Sequence, residues 1–371
     1  MKLNVEIENI NAEIKNQTLV IWSKTPLKIL SSALLNGGLI EANGIINVQV
    51  PEGSGSQMND MHWSGPEAFL KKVVQGLQLP NDKVVGLMTA AQMKNVVALT
   101  EKYDGVTLTV FVTAGATVAV TAGQPAASRS SQLQKIGTIN IIILVDGNLT
   151  EGCMVEAVKT ATEAKTVALR ELDIRSRFSG DLATGTLTDS VAVCCTKKGE
   201  PIQYAGTFTI LGELIGRCVR EGVKTAIYKQ ENISPNRPLV ERLTDRCLSL
   251  ETVISQVSDG MITSESSEFQ QLRKQFESIL FDGKIASLVI AALRLDEDLA
   301  KGLIPKKTAD TVDQVSFEAI VQSAVRCSSD DFSEFAFNKI KPGDEAQLGP
   351  FSKCVLRAVL NKACSNNTYS L

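Results

Sequence analysis

The chain has 371 residues, of which 44% are hydrophobic and 21% charged, and its formal net charge is −3. That balance supports a sizeable core and excludes disorder by composition, and the length predicts two domains. A slightly acidic chain with no basic patch and no basic–aromatic run excludes a nucleic-acid binder. Residues 5–22 read as two short strands, with Asn, Glu and Lys alternating against Ile, Leu and Val. Leu27, Leu30, Leu34 and Leu35 precede Asn36-Gly37-Gly38, whose glycine pair opens a turn, and residues 45–50 read as a strand. Residues 51–64 are rich in Gly, Ser and Asn, carry the sole histidine, His62, and read as a mobile surface loop. A helix over 65–77, a strand over 84–88, a helix over 89–100 and a strand over 106–112 follow. That last strand runs into Thr113-Ala114-Gly115-Ala116-Thr117. Its backbone N–H groups either hold an anion or carbonyl oxygen or form a tight turn.

Residues 137–195 organise the rest. Residues 139–145 form a nearly unbroken, β-branched apolar run, as a strand buried on both faces requires. Asp146 and Gly147 turn the chain, and Asn148 or Thr150 caps a helix over 151–172. Met154, Ala157, Val158, Ala161, Ala164, Ala168 and Leu172 make its apolar stripe. A polar loop holding Gly180, Gly185, Thr186, Thr188 and Asp189 then leads to an apolar strand over 191–195. Such a unit predicts an α/β domain with a mostly buried sheet flanked by helices, and ligands at the carboxyl ends of the strands, beside Asp146. Residues 197–200 read as a hairpin turn and 211–228 as an amphipathic helix.

Two prolines within 234–238 exclude a continuing helix and predict a linker between domains at 1–233 and 239–371. Beyond it, helices are predicted over 239–256, 268–280, 284–300 and 315–327, a small all-α domain. Asp296, Glu297 and Asp298 form an acidic cluster whose ordinary role is a solvated helix face. No apolar run reaches the roughly 18 residues of a membrane span, and the start lacks the apolar core of a signal peptide. The expectation is a cytoplasmic protein without membrane contact. The eight cysteines are scattered without a CxxC pair and read as buried reduced thiols, Cys194 and Cys195 pointing to opposite sides of their strand.

A single histidine leaves a Ser-His-Asp triad resting wholly on His62, and the His/Cys spacings of a zinc site are absent. The candidate acid–base residues are therefore carboxylates: Asp146, Glu163 and Asp189. Each has a plain structural alternative, as a strand end, a partner for Lys159 and a turn cap respectively. Asn36, Gly37, Gly38, Thr113, Gly115 and Thr117 are candidates for substrate contacts or oxyanion donors, with Lys165 and Thr186 at the margins of the same site. No metal ligands are assigned.

Several long segments also carry a resemblance. GTINIIILVDGNLTEG, VEAVKTATEAKTVAL, ATGTLTDSVAV and YAGTFTILGELIGRCV, preceded by SSALLNGGLIEANGIINVQVP, GLMTAA and VTAGATVAVTAG, resemble the adenosylcobinamide amidohydrolases in the same order. The resemblance spans roughly residues 24–227. It implies hydrolysis of the amide between the corrin side chain and aminopropanol, giving adenosylcobyric acid for corrinoid salvage. The corrinoid is the substrate. No cofactor is fixed, a divalent-metal requirement stays open, and a homo-oligomer is compatible. The chain departs from the family pattern at Val118 and Thr121, where asparagine and a basic residue are usual. In the second domain LVIAALRLDEDLAKGLIP, FSEFAFNKIKPG and LGPF resemble the α-ribazole-phosphate phosphatases. The acidic pairs of that family are replaced by Phe317-Glu318 and Lys353-Cys354, which implies a degenerate domain. A bifunctional enzyme and a non-catalytic corrinoid binder are the alternatives.

Overall fold

The computed structural model describes residues 1–51, 65–125, 137–258, 267–305 and 348–365. His62 and the helix expected over 315–327 lie outside them. The chain divides into two compact units, Met1–Pro235 and Asn236–Leu371. The first holds strands β1 (Lys2–Leu3), β2 (Ile10–Lys15), β3 (Thr18–Ser31), β4 (Gly38–Gln49), β5 (Val84–Thr89), β6 (Val97–Tyr103) and β7 (Val106–Gly115). After these come β8 (Ala119–Val120), β9 (Thr138–Asp146), β10 (Asn148–Leu149), β11 (Gly185–Thr186), β12 (Ser190–Cys195) and β13 (Pro201–Ile202). Its helices are α1 (Pro66–Gly76), α2 (Glu151–Glu171) and α3 (Ile210–Glu231). The second unit is helical where described: α4 (Leu239–Asp245), α5 (Leu250–Val257), α6 (Ser267–Leu280), α7 (Gly283–Ala300) and α8 (Pro350–Ser365).

Nine strands make one sheet in the order β1-β2-β3-β12-β9-β7-β6, and β4 pairs with both β3 and β5. β9 and β12 are parallel, Asn140 opposite Ser190 and Val145 opposite Cys195, and α2 is their crossover. β3 divides the sheet. Its residues 18–23 pair with β2 and its residues 28–31 with β12, and its register with β4 shifts between Trp22 and Leu27. Pro26 lies within that shift and brings no N–H to a ladder.

The period of two decides what each face of β9 buries. Ile139, Ile141, Ile143 and Val145 join a core with α2 and α3, including Met154, Ala157, Leu214 and Val219. Ile142 and Leu144 face the other way, into a core with Ile21, Ile29, Ile45, Leu87 and Phe111. The strand is thus apolar on both sides, at about 1.5–3 kcal/mol for each large side chain buried. Val20, Ile46, Val48 and Val84 carry the outer face of the β3–β5 arm onto Leu70 and Val74 of α1. Cys194 belongs to the inner core and Cys195 to the helix side, as adjacent strand residues must. Thr150 caps α2, its Oγ1 accepting from the Cys153 N–H at 3.2 Å.

Three local expectations need correction. Residues 89–100 are not a helix but a single 3₁₀ turn at Met93–Asn95 followed by β6, where Val97, Leu99 and their neighbours pair along β7. The β-branched run there is satisfied by a ladder instead of a helix. Residues 197–200 form no hairpin, because β13 pairs parallel with β10 instead of returning along β12. The helix expected over 239–256 breaks in two: Cys247 takes a left-handed φ of 61°, and the Ser249 hydroxyl caps α5 by accepting from Thr252 N–H.

The acidic cluster of α7 is also not simply solvated. Asp296 accepts from the N–H groups of Phe351 (3.0 Å) and Ser352 (2.8 Å), so it caps α8 from another helix. Burial nevertheless pushes its carboxyl above the ordinary range, the bonds from Ser352 and Phe351 offsetting only part of that. Glu297 pairs with Arg246 at 3.1 Å and Arg294 at 3.2 Å. Among the described residues no helix is long and apolar enough to cross a membrane.

Candidate functional site

The three candidate carboxylates do not converge. Asp146 ends β9, where it accepts from the Thr196 hydroxyl at 2.8 Å, with Lys198 at 3.8 Å. Asp189 immediately precedes β12, and β12 runs parallel to β9, so Asp189 lies at the amino end of both strands. Its Oδ1 accepts from the Ile139 N–H at 3.0 Å. Seven residues of strand separate that point from Asp146, roughly 23 Å at about 3.3 Å per residue. Glu163 is exposed on α2 and forms no ion pair with Lys159. Asp146, Glu163 and Asp189 are therefore not gathered at one point, and the polar contacts described next are those of Asp189.

Around Asp189 the structure gathers Lys165 and Thr186. The Lys165 ammonium donates to Asp189 Oδ2, and the side chains of the pair are only 9% and 13% exposed. The Thr186 N–H donates to Oδ2 at 3.1 Å, and the Thr186 hydroxyl donates to Oδ1. Helix geometry explains the reach of Lys165: Ala161, Ala164 and Ala168 bring α2 close to the sheet, and Lys165 shares that buried side. Gly185 permits the approach, since a Cβ there would meet Asp189 Oδ2 at 2.5 Å and Lys165 Nζ at 2.8 Å. Thr138 and Thr188 share a hydrogen bond of 2.7 Å beside them.

The end of β7 borders the same rim, because Gly115 pairs with Thr138. Its backbone N–H groups do hold an anion, and that anion is internal. The Glu231 carboxylate accepts from Ala116 N–H (3.1 Å), Thr117 N–H (3.1 Å) and the Thr117 hydroxyl (2.7 Å). Gln230, the preceding residue, accepts from Gln92 N–H (3.0 Å) and Asn95 Nδ2 (2.8 Å). Thr113 faces inward and accepts from Asn47 Nδ2 at 2.9 Å. Asn140 donates in turn to Asn47 Oδ1 (2.9 Å) and to the Met88 carbonyl (2.7 Å), which leaves its own Oδ1 without a hydrogen bond. So the inner core closes on a polar end at Asn47, Thr113 and Asn140.

Asn36, Gly37 and Gly38 stand at the start of β4, where Gly38 pairs with Ser31 and Ser31 with Ala192 of β12. Asn36 Nδ2 donates to the carbonyls of Asn81 (2.8 Å) and Val84 (2.7 Å), and Gly38 has φ 92°. They build a turn on the side of the sheet where β12 begins, since the Ser32 N–H donates to the Val191 carbonyl and the Val191 N–H to the Ser32 hydroxyl. Asn47, Asn140, Gln230 and Glu231 were not among the sequence candidates. Asn140 had a visible signal, a lone amide inside an apolar strand run, and Asn47 a weaker one, whereas Glu231 ends an amphipathic helix without any mark.

Among the described residues no group of three or more His, Cys, Asp or Glu is placed to hold a metal ion. Burial pushes the Cys153 thiol up to about 11, helped by Glu156 and Cys195, and the Cys218 thiol up to about 12. Both are protonated at neutral pH and are poor nucleophiles. A depression of about 390 Å³ lined by Gln49, Gln92, Met93 and Lys94, among others, contains none of the carboxylates above.

The sequence matches the family described as adenosylcobinamide amidohydrolase over residues 2–235. An uncharacterized protein of Methanocaldococcus jannaschii is 31% identical over 245 residues, 62% of this chain and 92% of its own length. An adenosylcobinamide amidohydrolase of Methanosarcina mazei is 32% identical over 226 residues, 58% of this chain and 96% of its own. A protein of the same description from Halobacterium salinarum is 31% identical over 104 residues, 27% of this chain and 40% of its own.

Proposed function

The chain belongs to the adenosylcobinamide amidohydrolase family, and on that premise we propose that Met1–Pro235 hydrolyses the amide joining the corrin side chain to aminopropanol, leaving adenosylcobyric acid. The observation that supports the reaction is the Lys165–Asp189 pair, nearly buried at the amino end of β9 and β12 and in contact with a hydroxyl. Amide hydrolysis needs a group that takes a proton from the attacking oxygen, positive charge near the developing oxyanion, and a proton for the leaving amine. A carboxylate and an ammonium held together supply all three. Glu231 keeps the end of β7 in place, and the amides at Ala116 and Thr117 are its hydrogen-bond partners and not free oxyanion donors.

The second unit is read as a phosphatase-like fold that no longer turns over. Asp296 is engaged as a helix cap and Glu297 in arginine pairs, so two carboxylates of its acidic cluster serve the fold. The test of the main reaction is direct. The full chain is mixed with adenosylcobinamide and aminopropanol is measured. Release is expected, with Asp189→Asn reduced more than about a hundredfold and Asp146→Asn within tenfold of wild type. Corrinoid binding without aminopropanol release shows a binding protein instead.

A further inference from the structure

We infer that the Thr186 hydroxyl is the nucleophile and that the amide is cleaved through an ester on this residue. The inference rests on the amidohydrolase reading above and deepens it. What carries it is the set of donors on Asp189. Oδ1 accepts from Ile139 N–H and the Thr186 hydroxyl, and Oδ2 accepts from Lys165 Nζ and Thr186 N–H. Three of the four donors are nitrogens. Two of those are backbone amides, which do not surrender protons, and the third is the ammonium that balances the carboxylate. Among the described residues the only O–H on Asp189 is that of Thr186, so it is the oxygen that Asp189 is placed to deprotonate. Both carboxylate oxygens are occupied, so a water molecule would first have to displace one of these donors.

Position agrees with this role. Thr186 is 8% exposed and is followed by exposed Leu187 and Thr188, so its hydroxyl lies just beneath the surface of the rim. Its backbone is held on both sides, by pairing with Ala119 and by its own N–H on Asp189. The nucleophile is thereby oriented without relying on side-chain freedom.

The steps balance as follows. Thr186 Oγ1 forms a bond to the amide carbon as its proton passes to Asp189 Oδ1, and the carbonyl π pair moves onto the oxygen. Asp189 is then neutral, so the Lys165 ammonium loses its counter-charge as the oxyanion gains one, and it stabilises that oxygen. The carbon–nitrogen bond breaks, the nitrogen takes the proton from Asp189, and aminopropanol leaves. Water attacks the ester, gives its proton to Asp189, and Thr186 Oγ1 departs with a proton returned from Asp189. The sum is amide plus water giving acid plus amine, with no oxidant or further reactant.

The experiment uses the full-length protein with adenosylcobinamide. Expected is a loss of more than a thousandfold in kcat for Thr186→Val, which keeps the shape and lacks the oxygen. Thr186→Ser, which restores a hydroxyl, should stay within about tenfold of wild type. Both variants should bind the corrinoid with unchanged affinity, read from its visible spectrum, and melt within a few degrees of wild type. Added hydroxylamine should divert wild-type product to the corrinoid hydroxamate, because an ester partitions between water and a stronger nucleophile. Thr186→Val retaining a tenth or more of wild-type turnover overturns the inference alone, and so does inactivity of Thr186→Ser when it binds normally. A wild type that releases no aminopropanol overturns the underlying reading and the inference together.

Discussion

Gly185 is where the site is most sensitive to a single methyl group. A Cβ there would come within 2.5 Å of Asp189 Oδ2 and 2.8 Å of Lys165 Nζ, so both ends of the pair must shift to admit it. Gly185→Ala should therefore lower aminopropanol release by on the order of a hundredfold or more. Corrinoid binding measured beside it should change far less. At the same scale the cysteines should be bystanders. Cys247 is exposed, whereas Cys153, Cys194 and Cys218 are buried with thiols raised by burial. Iodoacetamide at pH 8 should label Cys247 ahead of those three and leave turnover intact, as peptide mass mapping can show. Lys165, Asp189 and Thr186 were named as candidates from the sequence, Lys165 on a helix and the other two in the polar loop after it. Their separation from Asp146 was missed, because the sequence reading grouped the three carboxylates, although a residue that precedes the second of two parallel strands lies at the opposite end from one that ends the first. What the sequence did not carry was Glu231, because a carboxylate at the end of a helix looks alike whether it is solvated or bound to a distant loop.

Helix ends supply the next level of argument. Asp296 caps α8 although burial raises its carboxyl. A carboxyl whose pKa is higher in the fold than in the unfolded chain favours the fold most below the unfolded value of about 3.9, and that contribution fades as pH rises through the folded value. The Asp296→Asn variant lacks this titration. The melting temperature of the variant relative to wild type should accordingly rise between about pH 4 and the folded value, and a flat difference would contradict the assigned burial. Glu231 at the end of α3 accepts from three donors. Glu231→Ala should destabilise Met1–Pro235 by about 1–3 kcal/mol, measured by urea unfolding, because two amides lose their acceptor. The elements themselves were mostly readable from periodicity. The exceptions have different causes: β6 pairs with its sequence neighbour β7 across the Asp104-Gly105 turn, a local hairpin signal that the helix reading passed over, whereas after Cys195 the chain pairs with β10, about 50 positions earlier, and local pattern contains no record of that partner.

Taken whole, the molecule joins a unit that holds the buried Lys165–Asp189 pair to a helical one in which Asp296 and Glu297 are engaged by the fold. Supplying α-ribazole phosphate with Mg²⁺ or Mn²⁺ to the full chain should release no phosphate. Turnover near one per second, in the ordinary enzymatic range of roughly 1–10³ s⁻¹, would show that the second unit is active. The division of β3 has another consequence, for how the protein is made. Its residues 18–23 find β2 at once and residues 28–31 find β4 soon after, but the second edge of 28–31 waits for β12, about 160 positions later. Closing so long a loop costs entropy before any pairing rewards it, which slows folding. During synthesis Ile29 and Leu30 therefore emerge from the ribosome with an unpaired edge, and they keep it until the last strand of the main sheet is complete. That interval exposes an apolar ladder to neighbouring nascent chains, so the yield of this protein in a cell should depend on translation speed and chaperone supply more than on the stability of the finished fold.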